Sequence, residues 1–563
     1  MKFEIHAKRP GEDTEEIFFY DNMENKLSDK DGNVFKFSDA QVPSDLKKYK
    51  NFNINEPLLK SKEITHLKIQ LGLSCNYSCD YCSQKFVERA VETNKKDIDA
   101  FMEKLEALEF KEESGLIVEF WGGEPLVYWK TLKPLAEAIQ EKFSNWETKP
   151  KFSIITNGSI LTEEIIDWLM MMDFAISISH DGPGQFVRGP DPLDDPEAKE
   201  RILGLYRAMT RLRKPFSFNA MLNKQNMSRK AIYDWFVNLT GDENVQLGEG
   251  SIVDAYEEDG ISNSLTTKEE HFAFRRQAFG EILQTDGNIG FKGIILKMGD
   301  FAQKILTHEE AIYLNQKCGM DGENVIAVDL RGNVITCQNV SAAEISKNGE
   351  SHLGGNLDNY DDVKLTSSVH WSNRKECPSC PVLHLCKGAC MFLDEKFWDI
   401  SCANSYTDNV ALFALTFVKL TNGYIPTLIK GDGLPLDRQD IWGTIYEHKE
   451  KAKPYLAALG HVKLLQGDYR KGFELYENRQ KMEGSTWDGT ESLVGKTLYV
   501  LGEGGIGDQI FFSRFLLPLC YMGATDIVFK VPTALSQFME IELSGHYPIR
   551  VTDSVEIPED AMS

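Results

Sequence analysis

Three cysteines with a distinctive spacing are the residues in this sequence best suited to chemistry. Cys75, Cys79 and Cys82 form a C-x3-C-x2-C pattern, and Tyr81 directly precedes the last of them. Three thiolates on one short loop can hold three irons of a four-iron cluster and leave the fourth iron without a protein ligand. An open iron can bind a small molecule, so the spacing indicates a working cluster. The alternatives are a redox cysteine pair or a zinc site, but no fourth Cys or His follows Cys82 at zinc-finger spacing.

A second group of seven cysteines follows later in the chain. It runs Cys318-x13-Gly332-x4-Cys337, then Cys377-x2-Cys380-x5-Cys386-x3-Cys390, and ends at Cys402. Related spacings occur in zinc ribbons, so a pair of zinc sites is the alternative to iron–sulfur clusters here. In an intracellular protein such cysteines are metal or redox ligands rather than a disulfide framework.

Alternating strands and helices must position the first cysteines. The predicted strands are His66–Leu71, Leu116–Phe120, Lys151–Ile155, Phe174–Ile178, Phe216–Ala220 and Val245–Val253. The predicted helices are Lys95–Leu108, Thr131–Phe143, Glu163–Met172, Glu200–Leu212, one beginning at Ser228, and Thr267–Gln284. This alternation predicts a parallel sheet, with functional loops at the carboxyl ends of its strands.

Three of these strands end in segments that could bind a ligand. They are Trp121-Gly-Gly-Glu-Pro125, Thr156-Asn-Gly158, and Ser179-His-Asp-Gly182 followed by Arg188. Glycines at such a place let a ligand approach the backbone, and a guanidinium suits bidentate binding of a carboxylate. Taken singly, the glycine segments are also ordinary turns, and Arg188 could be a surface arginine.

In combination, these residues resemble the radical S-adenosylmethionine (radical SAM) enzymes over about residues 64–405. In that family SAM chelates the fourth iron through its amino and carboxylate groups, and its reductive cleavage gives a 5′-deoxyadenosyl radical. The resemblance implies an α/β fold built on a partial (β/α)6 barrel. It implies that Cys75, Cys79 and Cys82 are the catalytic cluster ligands. It also implies SAM contacts by Tyr81, Gly122, Gly123, Glu124, Pro125, Asn157, Ser179, Asp181 and Arg188.

The second cysteine group is similar in order and spacing to the SPASM extension of radical SAM enzymes, as is Gly355-Asn-Leu357. The resemblance implies one auxiliary cluster on Cys377, Cys380, Cys386 and Cys402, and another on Cys318, Cys337 and Cys390. Seven thiolates cannot fill two four-ligand clusters, so one auxiliary cluster lacks a cysteine or keeps an open iron. Such enzymes usually modify a ribosomally made peptide or a protein side chain, with an electron donor such as flavodoxin or ferredoxin.

One position departs from a branch of this family. Anaerobic sulfatase maturases carry an aspartate base directly after the cysteine that corresponds to Cys337, and here Gln338 takes that place. A glutamine cannot accept a proton at neutral pH. The departure counts against a sulfatase maturase, unless a carboxylate such as Asp329 acts instead.

Charge and hydropathy narrow the range of partners. The 563 residues include 86 acidic and 62 basic side chains, a formal net charge of −24, which argues against a nucleic-acid substrate. No apolar run approaches the ~18 residues of a membrane span. The N-terminus also lacks the apolar stretch of a signal peptide. The sequence therefore predicts a cytoplasmic protein with no membrane partner.

Five segments are predicted. They are an N-terminal β-hairpin appendage (1–63), the radical SAM core (64–305), the SPASM segment (306–408), a helical tetratricopeptide-like segment (409–486) and an incomplete Rossmann-like tail (487–563). The hairpin would pair Glu16–Tyr20 with Asn33–Phe37, and residues 422–436 would be a linker after an apolar helix at Val410–Leu420. In the tail, Gly502-Glu-Gly-Gly-Ile-Gly507 follows a strand at Lys496–Leu501 and precedes a helix at Gln509–Tyr521, and the sheet would stop at a second strand, Asp526–Val531.

The sequence therefore predicts a radical SAM enzyme that modifies a peptide or protein. Two rival classes remain. One is an iron–sulfur or zinc protein that does not use SAM. The other is a glycosyltransferase-related protein, because repeat-associated glycosyltransferase-like proteins have a segment similar to Gly502–Asp508 after a Trp-Asp-Gly like Trp487–Gly489.

Overall fold

The computed structural model describes most of the chain. The described residues are 1–10, 14–37, 46–49, 52, 55–345, 349–366, 369–393, 395–443, 469–476, 487, 491–502, 509–510, 513–543, 547–553 and 561–562. They form two compact units, Met1–Asn478 and Arg479–Ser563. The finer domain boundaries given above remain predictions. None of the described helices is long and apolar enough to cross a membrane.

The described strands and α-helices are numbered in chain order. The strands are β1 (Lys2–Lys8), β2 (Glu15–Asp21), β3 (Lys26–Asp29), β4 (Leu58–Leu59), β5 (His66–Gln70), β6 (Ile117–Trp121), β7 (Lys151–Thr156), β8 (Ala175–Ser179), β9 (Phe216–Leu222), β10 (Leu247–Ile252), β11 (Val325–Asp329), β12 (Asn333–Ile335), β13 (Leu353–Asn356), β14 (Lys364–Leu365), β15 (Ile425–Lys430), β16 (Thr497–Leu501), β17 (Asp526–Lys530), β18 (Ile549–Thr552) and β19 (Ala561–Met562). The helices are α1 (Ile98–Lys104), α2 (Trp129–Lys142), α3 (Glu163–Met171), α4 (Pro196–Arg211), α5 (Arg229–Thr240), α6 (Lys268–Gln284), α7 (Lys292–Thr307), α8 (Leu383–Cys386), α9 (Glu395–Leu420), α10 (Leu436–Gln439), α11 (Tyr469–Tyr476), α12 (Leu516–Tyr521) and α13 (Thr533–Leu543).

A nine-stranded sheet is the centre of the first unit. Its order is β10-β9-β8-β7-β6-β5-β11-β12-β13. Strands β5 to β10 are parallel neighbours in chain order, and β11 pairs with β5 in parallel on the other side. Within the described residues β10 and β13 each have one strand neighbour, so the sheet is open. This confirms the predicted α/β fold with a partial barrel.

The helices pack on the sheet through side chains that the sequence places at helical spacing. In α3 the Thr162 hydroxyl accepts a hydrogen bond from the Ile165 amide and caps the first turn. Trp168 on the same helix lies 5.3 Å, between ring centroids, from Phe174 at the start of β8. Phe174 also stacks on Phe152 of β7. These aromatic contacts hold the helix layer against the middle of the sheet.

The predicted start of helix α4 at Glu200 is wrong, because the helix begins four residues earlier, at Pro196. The Asp195 carboxylate accepts a hydrogen bond from the Glu197 amide, and Pro196 occupies the first helical position. Proline suits that position because its missing amide would have no partner inside the helix. The cap and the proline therefore set the start of the helix.

The N-terminal sheet differs from the predicted hairpin. Strand β2 does pair with a following strand, but that strand is β3 rather than Asn33–Phe37. The chain turns back early through Asn25, whose φ is +49°. The Asp29 carboxylate then accepts hydrogen bonds from the Asp31 and Asn33 amides and forms the turn at Gly32.

The segment predicted to be a linker contains a strand. Strand β15 pairs with β1 in antiparallel register, so the sheet order is β15-β1-β2-β3. Ile429 on β15 and Ile5 on β1 are fully buried. The preceding helix, α9, is also longer than the predicted Val410–Leu420, since it begins at Glu395.

The second unit contains more strands than the sequence predicted. Its sheet has the order β18-β17-β16-β19, and each strand runs parallel to its neighbour. The prediction that the tail ends after its second strand is therefore wrong, because β18 and β19 extend the sheet on both sides. Residues 503–508 of the glycine segment, and residues 455–468 of the predicted tetratricopeptide-like pair, lie outside the described residues.

Strand β15 gives a direct test of this fold. We expect Ile429→Ala to lower the free energy of unfolding by about 2–5 kcal/mol, because it removes buried apolar volume. Leu436→Ala is the matched control, since Leu436 is 82% exposed and should change that free energy by less than about 0.5 kcal/mol. Chemical denaturation of both variants measures the difference. If neither substitution changed the free energy of unfolding, the result would instead support a linker.

Candidate functional site

The first cysteine loop begins directly after β5. Cys75 is exposed, and Cys79 and Cys82 are half-buried. The Cys82 amide donates to the Cys79 carbonyl at 3.2 Å, which closes a turn and keeps these two residues together. Burial raises the pKa of the Cys79 thiol to about 12, although the nearby positive charge of Arg188 opposes the shift. A bound metal would favour the thiolate forms, because coordination removes the thiol proton.

The loop after β6 packs directly against the cysteine loop. The Gly123 amide donates to the Gly72 carbonyl at 3.1 Å, and the Glu124 amide donates to the Ser74 carbonyl at 3.0 Å. A Cβ atom added at Gly123 would lie 2.5 Å from the Leu73 oxygen. Glycine is therefore required here by contact between two backbones, and not only by the approach of a ligand, which was the reason predicted from the sequence.

Glu124 carries a buried carboxylate that joins its own loop to the loop after β7. Its oxygens accept hydrogen bonds from the Leu126 amide at 3.0 Å, the Thr156 hydroxyl at 2.7 Å and the Asn157 amide at 2.7 Å. Burial raises the pKa of this carboxyl, although the three hydrogen bonds act in the opposite direction. A carboxylate has about four acceptor positions, so one remains for a ligand. Pro125 starts the short 3-10 helix that the carboxylate caps.

Asn157, after β7, is fastened to the cysteine loop. Its side-chain amide donates to the Asn76 side-chain oxygen at 2.9 Å, and the Asn76 amide donates to the Ser159 hydroxyl at 2.8 Å. Gly158 has a φ of +76°, which glycine adopts readily. The structure thus brings the segments Trp121–Pro125 and Thr156–Gly158 together with the cysteine loop.

Asp181, after β8, completes the site with Tyr81 and Arg188. Its carboxylate accepts a hydrogen bond from the Tyr81 hydroxyl, pairs with Arg188 at 3.0 Å, and accepts from the Met221 amide at 2.7 Å. The Arg188 side chain is mostly buried, so the surface alternative is wrong. Its Nε has no hydrogen-bond partner among the described residues. Ser179 ends β8 next to this group, in register with Asn219 of β9.

Four cysteines of the second group line one cavity. Cys377, Cys380, Cys386 and Cys402 all contribute to the lining of this small cavity. Burial raises the pKa of the Cys380 thiol to about 12. The pKa of the Cys377 thiol is also raised, mainly by burial and to a smaller extent by the charges of the other three thiols. These are the four residues grouped by the sequence resemblance, and their role as cluster ligands remains a prediction.

The thiols of Cys318 and Cys390 raise the pKa of Cys337, and that of Cys318 raises the pKa of Cys390, although burial is the larger cause in both cases. The Asn339 amide donates to the Cys337 sulfur at 3.4 Å. The adjacent Gln338 side-chain oxygen lies 3.8 Å from the same sulfur. All eleven cysteines of the chain fall within the described ranges, and none forms a disulfide. In those ranges no three or more His, Cys, Asp or Glu side chains are arranged around a single metal-ion position.

Several further residues lie beside these thiols. The Tyr256 hydroxyl lies 4.0 Å from the Cys390 sulfur, and Asp254 acts electrostatically on both of these residues. A guanidinium nitrogen of Arg438 lies 3.2 Å from the Cys402 sulfur. No motif in the sequence marks these residues, and Arg438 falls in a segment predicted to follow a linker.

Asp329, suggested above as a replacement base, has a structural role. One of its carboxylate oxygens accepts hydrogen bonds from the Arg331 and Asn333 amides, and the other accepts from the Asn333 side chain. The carboxylate therefore forms the tight turn between β11 and β12. Three of its roughly four acceptor positions are engaged in this turn, and the hypothesis that it acts as a base stays a prediction.

Comparison with known proteins assigns the part of the chain that holds the first cysteine loop. Residues 69–236 match the sequence model of the Radical SAM superfamily. The chain carries a radical SAM domain. This domain contains Cys75, Cys79 and Cys82 together with every predicted SAM contact. Enzymes of this superfamily use SAM and a four-iron cluster, and the three free thiols, the spare acceptor position of Glu124 and the unpaired Arg188 Nε would fit both groups.

Two curated relatives match part of the chain. A radical SAM cyclopropyl synthase, TigE, from Paramaledivibacter caminithermalis is 24% identical over 191 residues, which are 31% of this chain and 38% of that protein. A serine-type anaerobic sulfatase-maturating enzyme from Bacteroides thetaiotaomicron is 27% identical over 120 residues, which are 21% of this chain and 29% of that protein. The matched part of the chain thus spans about a third of the length of these two relatives.

Two solved structures show a distant likeness. Native anSMEcpe with bound AdoMet is 18% identical with a TM-score of 0.45, covering 64% of this chain and 98% of that one. Streptococcus suis SuiB bound to the precursor peptide SuiA is 16% identical with a TM-score of 0.38, covering 60% of this chain and 76% of that one.

Gly123 provides the test of the site geometry. We expect Gly123→Ala to reduce iron loading of the first loop several-fold, because its methyl group would meet the Leu73 and Ser74 carbonyl oxygens. Iron and sulfide analysis after anaerobic reconstitution measures the loss, in a background where the seven later cysteines are replaced by alanine. Gly204→Ala is the control, since an added Cβ there meets no atom within 4 Å. Equal loading in the two variants would contradict the proposed contact.

Proposed function

We propose that this protein is a radical SAM enzyme that modifies a peptide or protein side chain. Cys75, Cys79 and Cys82 would hold the SAM-binding cluster. The two later groups of cysteines would hold auxiliary iron–sulfur clusters. The electron donor would be a low-potential protein such as flavodoxin or ferredoxin.

One observation carries this proposal. The loops after β5, β6, β7 and β8 are joined to one another by hydrogen bonds at the carboxyl edge of the sheet. Glu124 links the second loop to the third, Asn157 links the third to the first, and Asp181 links the fourth to Tyr81 of the first. The carboxyl edge of a parallel sheet is where ligands bind in folds of this kind.

The residues at this edge of the sheet would bind and orient SAM rather than transfer protons. When bound, SAM and the four-iron cluster supply a reductive cleavage that produces a 5′-deoxyadenosyl radical. Glu124 keeps one acceptor position for an ammonium group, and Arg188 keeps one donor, Nε, for a carboxylate. Asp181 fixes both Arg188 and Tyr81, so the donor and the aromatic ring keep a set orientation. Such preorganisation lowers the entropic cost of binding.

A peptide or protein substrate is supported by one of the relatives. One relative is a sulfatase-maturating enzyme, which acts on a protein. The aspartate base of that class is absent here, since Gln338 replaces it. Asp254 is a carboxylate near Cys390, and burial raises its pKa although the positive charge of Lys317 opposes the shift. Asp254 comes two residues before Tyr256, whose hydroxyl lies 4.0 Å from the Cys390 sulfur, so it is the carboxylate on this segment to which we assign the role of base.

The first experiment tests the radical chemistry. The chain is reconstituted anaerobically, reduced with dithionite and supplied with SAM, and 5′-deoxyadenosine is measured by chromatography. We expect the wild type to form 5′-deoxyadenosine and Cys75→Ala to form none, because two thiols on the loop cannot hold the cluster in the same way. Zinc without sulfide in the wild type, or cleavage that survives in Cys75→Ala, would defeat the proposal.

A second experiment tests the role of Asp254 in modifying the substrate. A candidate peptide is co-expressed with each variant, and its change in mass is measured. We expect Asp254→Asn to lower the rate of modification by about 10²–10⁴-fold, the usual contribution of a general base, while SAM cleavage continues. Asp259→Asn, at an exposed carboxylate five residues later, should modify the peptide like the wild type. Unchanged modification by Asp254→Asn would remove Asp254 from the reaction.

A further inference from the structure

Arg438 lies against the cavity formed by Cys377, Cys380, Cys386 and Cys402. It belongs to the short helix α10 and follows Cys402 by 36 residues. Its Nη2 donates a hydrogen bond to the Cys402 sulfur at 3.2 Å. Its positive charge also acts on the Cys380 thiol, where it opposes the effect of burial. The cavity thus has a cation that the cysteine pattern does not contain.

Two neighbours hold Arg438 in this position. Its guanidinium lies over the ring of Tyr406, 4.9 Å from the centroid, and the Tyr406 hydroxyl donates to the Arg438 carbonyl at 2.5 Å. Arg275 donates to the carbonyls of Asp437 and Asp440 on either side, at 3.4 and 3.3 Å. Tyr406 is buried and belongs to α9, the same helix as Cys402. The arginine and the cysteine are therefore fixed relative to each other.

The other charged groups in or near this cavity, Glu376 in its lining and Arg374, whose charge acts on Cys377, are engaged elsewhere. Arg374 stacks on Trp398, 3.9 Å from its ring, and one of its nitrogens donates to the Met391 and Leu393 carbonyls. Glu376 accepts a hydrogen bond from the Trp398 indole at 3.2 Å. Arg438, in contrast, donates its hydrogen bond to a cysteine sulfur, that of Cys402.

We infer that Arg438 sets the reduction potential of the auxiliary cluster held by these four cysteines, through its hydrogen bond to Cys402. This inference rests on the proposed function. Reduction adds one electron, taken from a low-potential flavin or iron–sulfur donor, and one negative charge to the site. A guanidinium that donates to a ligand sulfur stabilises the added charge. Hydrogen bonds to the sulfurs, together with net charge, are established controls of such potentials. Arg438 therefore raises the potential of this cluster.

The experiment is a potentiometric titration of the full chain in which electron paramagnetic resonance detects the reduced clusters. Cys75, Cys79 and Cys82 are replaced by alanine in every sample, so that only the auxiliary clusters contribute. We expect Arg438→Gln to make the reduction equilibrium at least tenfold less favourable, a downward shift of about 59 mV for one electron. Arg211→Gln is the charge-matched control, because Arg211 is exposed on α4, and it should leave the potential unchanged.

A second variant covers the case in which Arg438→Gln does not retain its cluster. Arg438→Lys keeps the charge but loses the planar fork of donors, so its potential should fall by a smaller amount. Unshifted potentials in the variants that retain wild-type iron and sulfide would overturn the inference alone. A wild-type chain in which no auxiliary cluster assembles would overturn both the inference and the auxiliary-cluster part of the proposed function. Intact SAM cleavage by the chain with its first loop unaltered separates these two results.

Discussion

Contact between two backbones is the constraint on which the candidate site depends. Strands β5 and β6 run parallel and in register, so the loops that follow them leave the sheet side by side. The amides of Gly123 and Glu124 then donate to carbonyls of the cysteine loop, in a space that leaves no room for a Cβ atom at Gly123. The buried carboxylate of Glu124 extends the connection to the loop after β7. One glycine and one carboxylate thus fix the loop that carries the three thiols.

The two groups of cysteines are tied together by the same sheet. Strand β11 pairs directly with β5, the strand that leads into the first cysteine loop. The Gln70 side chain at the end of β5 donates to the Gln338 and Val340 carbonyls, at 2.7 and 2.6 Å, next to Cys337. The distance between the first loop and this part of the second group is therefore set by strand pairing and by one buried amide.

Cations occur beside the buried thiols even though the chain is strongly acidic, with a formal net charge of −24. Arg188 opposes the effect of burial on Cys79, Arg438 does so on Cys402, and Lys68 does so on Cys337. Burial makes a thiolate costly, and a nearby positive charge offsets part of that cost. The same charges would favour an anionic cluster at each position, which connects the electrostatics of the thiols with the proposed redox function.

The sequence by itself determined the features that depend on short distances along the chain. The spacing of Cys75, Cys79 and Cys82 specifies one loop, and the alternation of apolar strands with helices predicts a parallel sheet. It also indicated which loops leave the sheet at its carboxyl edge.

Only the tertiary structure decided which distant residues meet. It placed β15 beside β1, engaged Asp329 in a turn, and brought Tyr256 and Arg438 to cysteines that lie far from them in sequence. The physical reason is that local spacing limits the geometry of neighbouring residues directly. The pairing of a sheet edge, or of a cation with a thiol, depends instead on the packing of the whole unit.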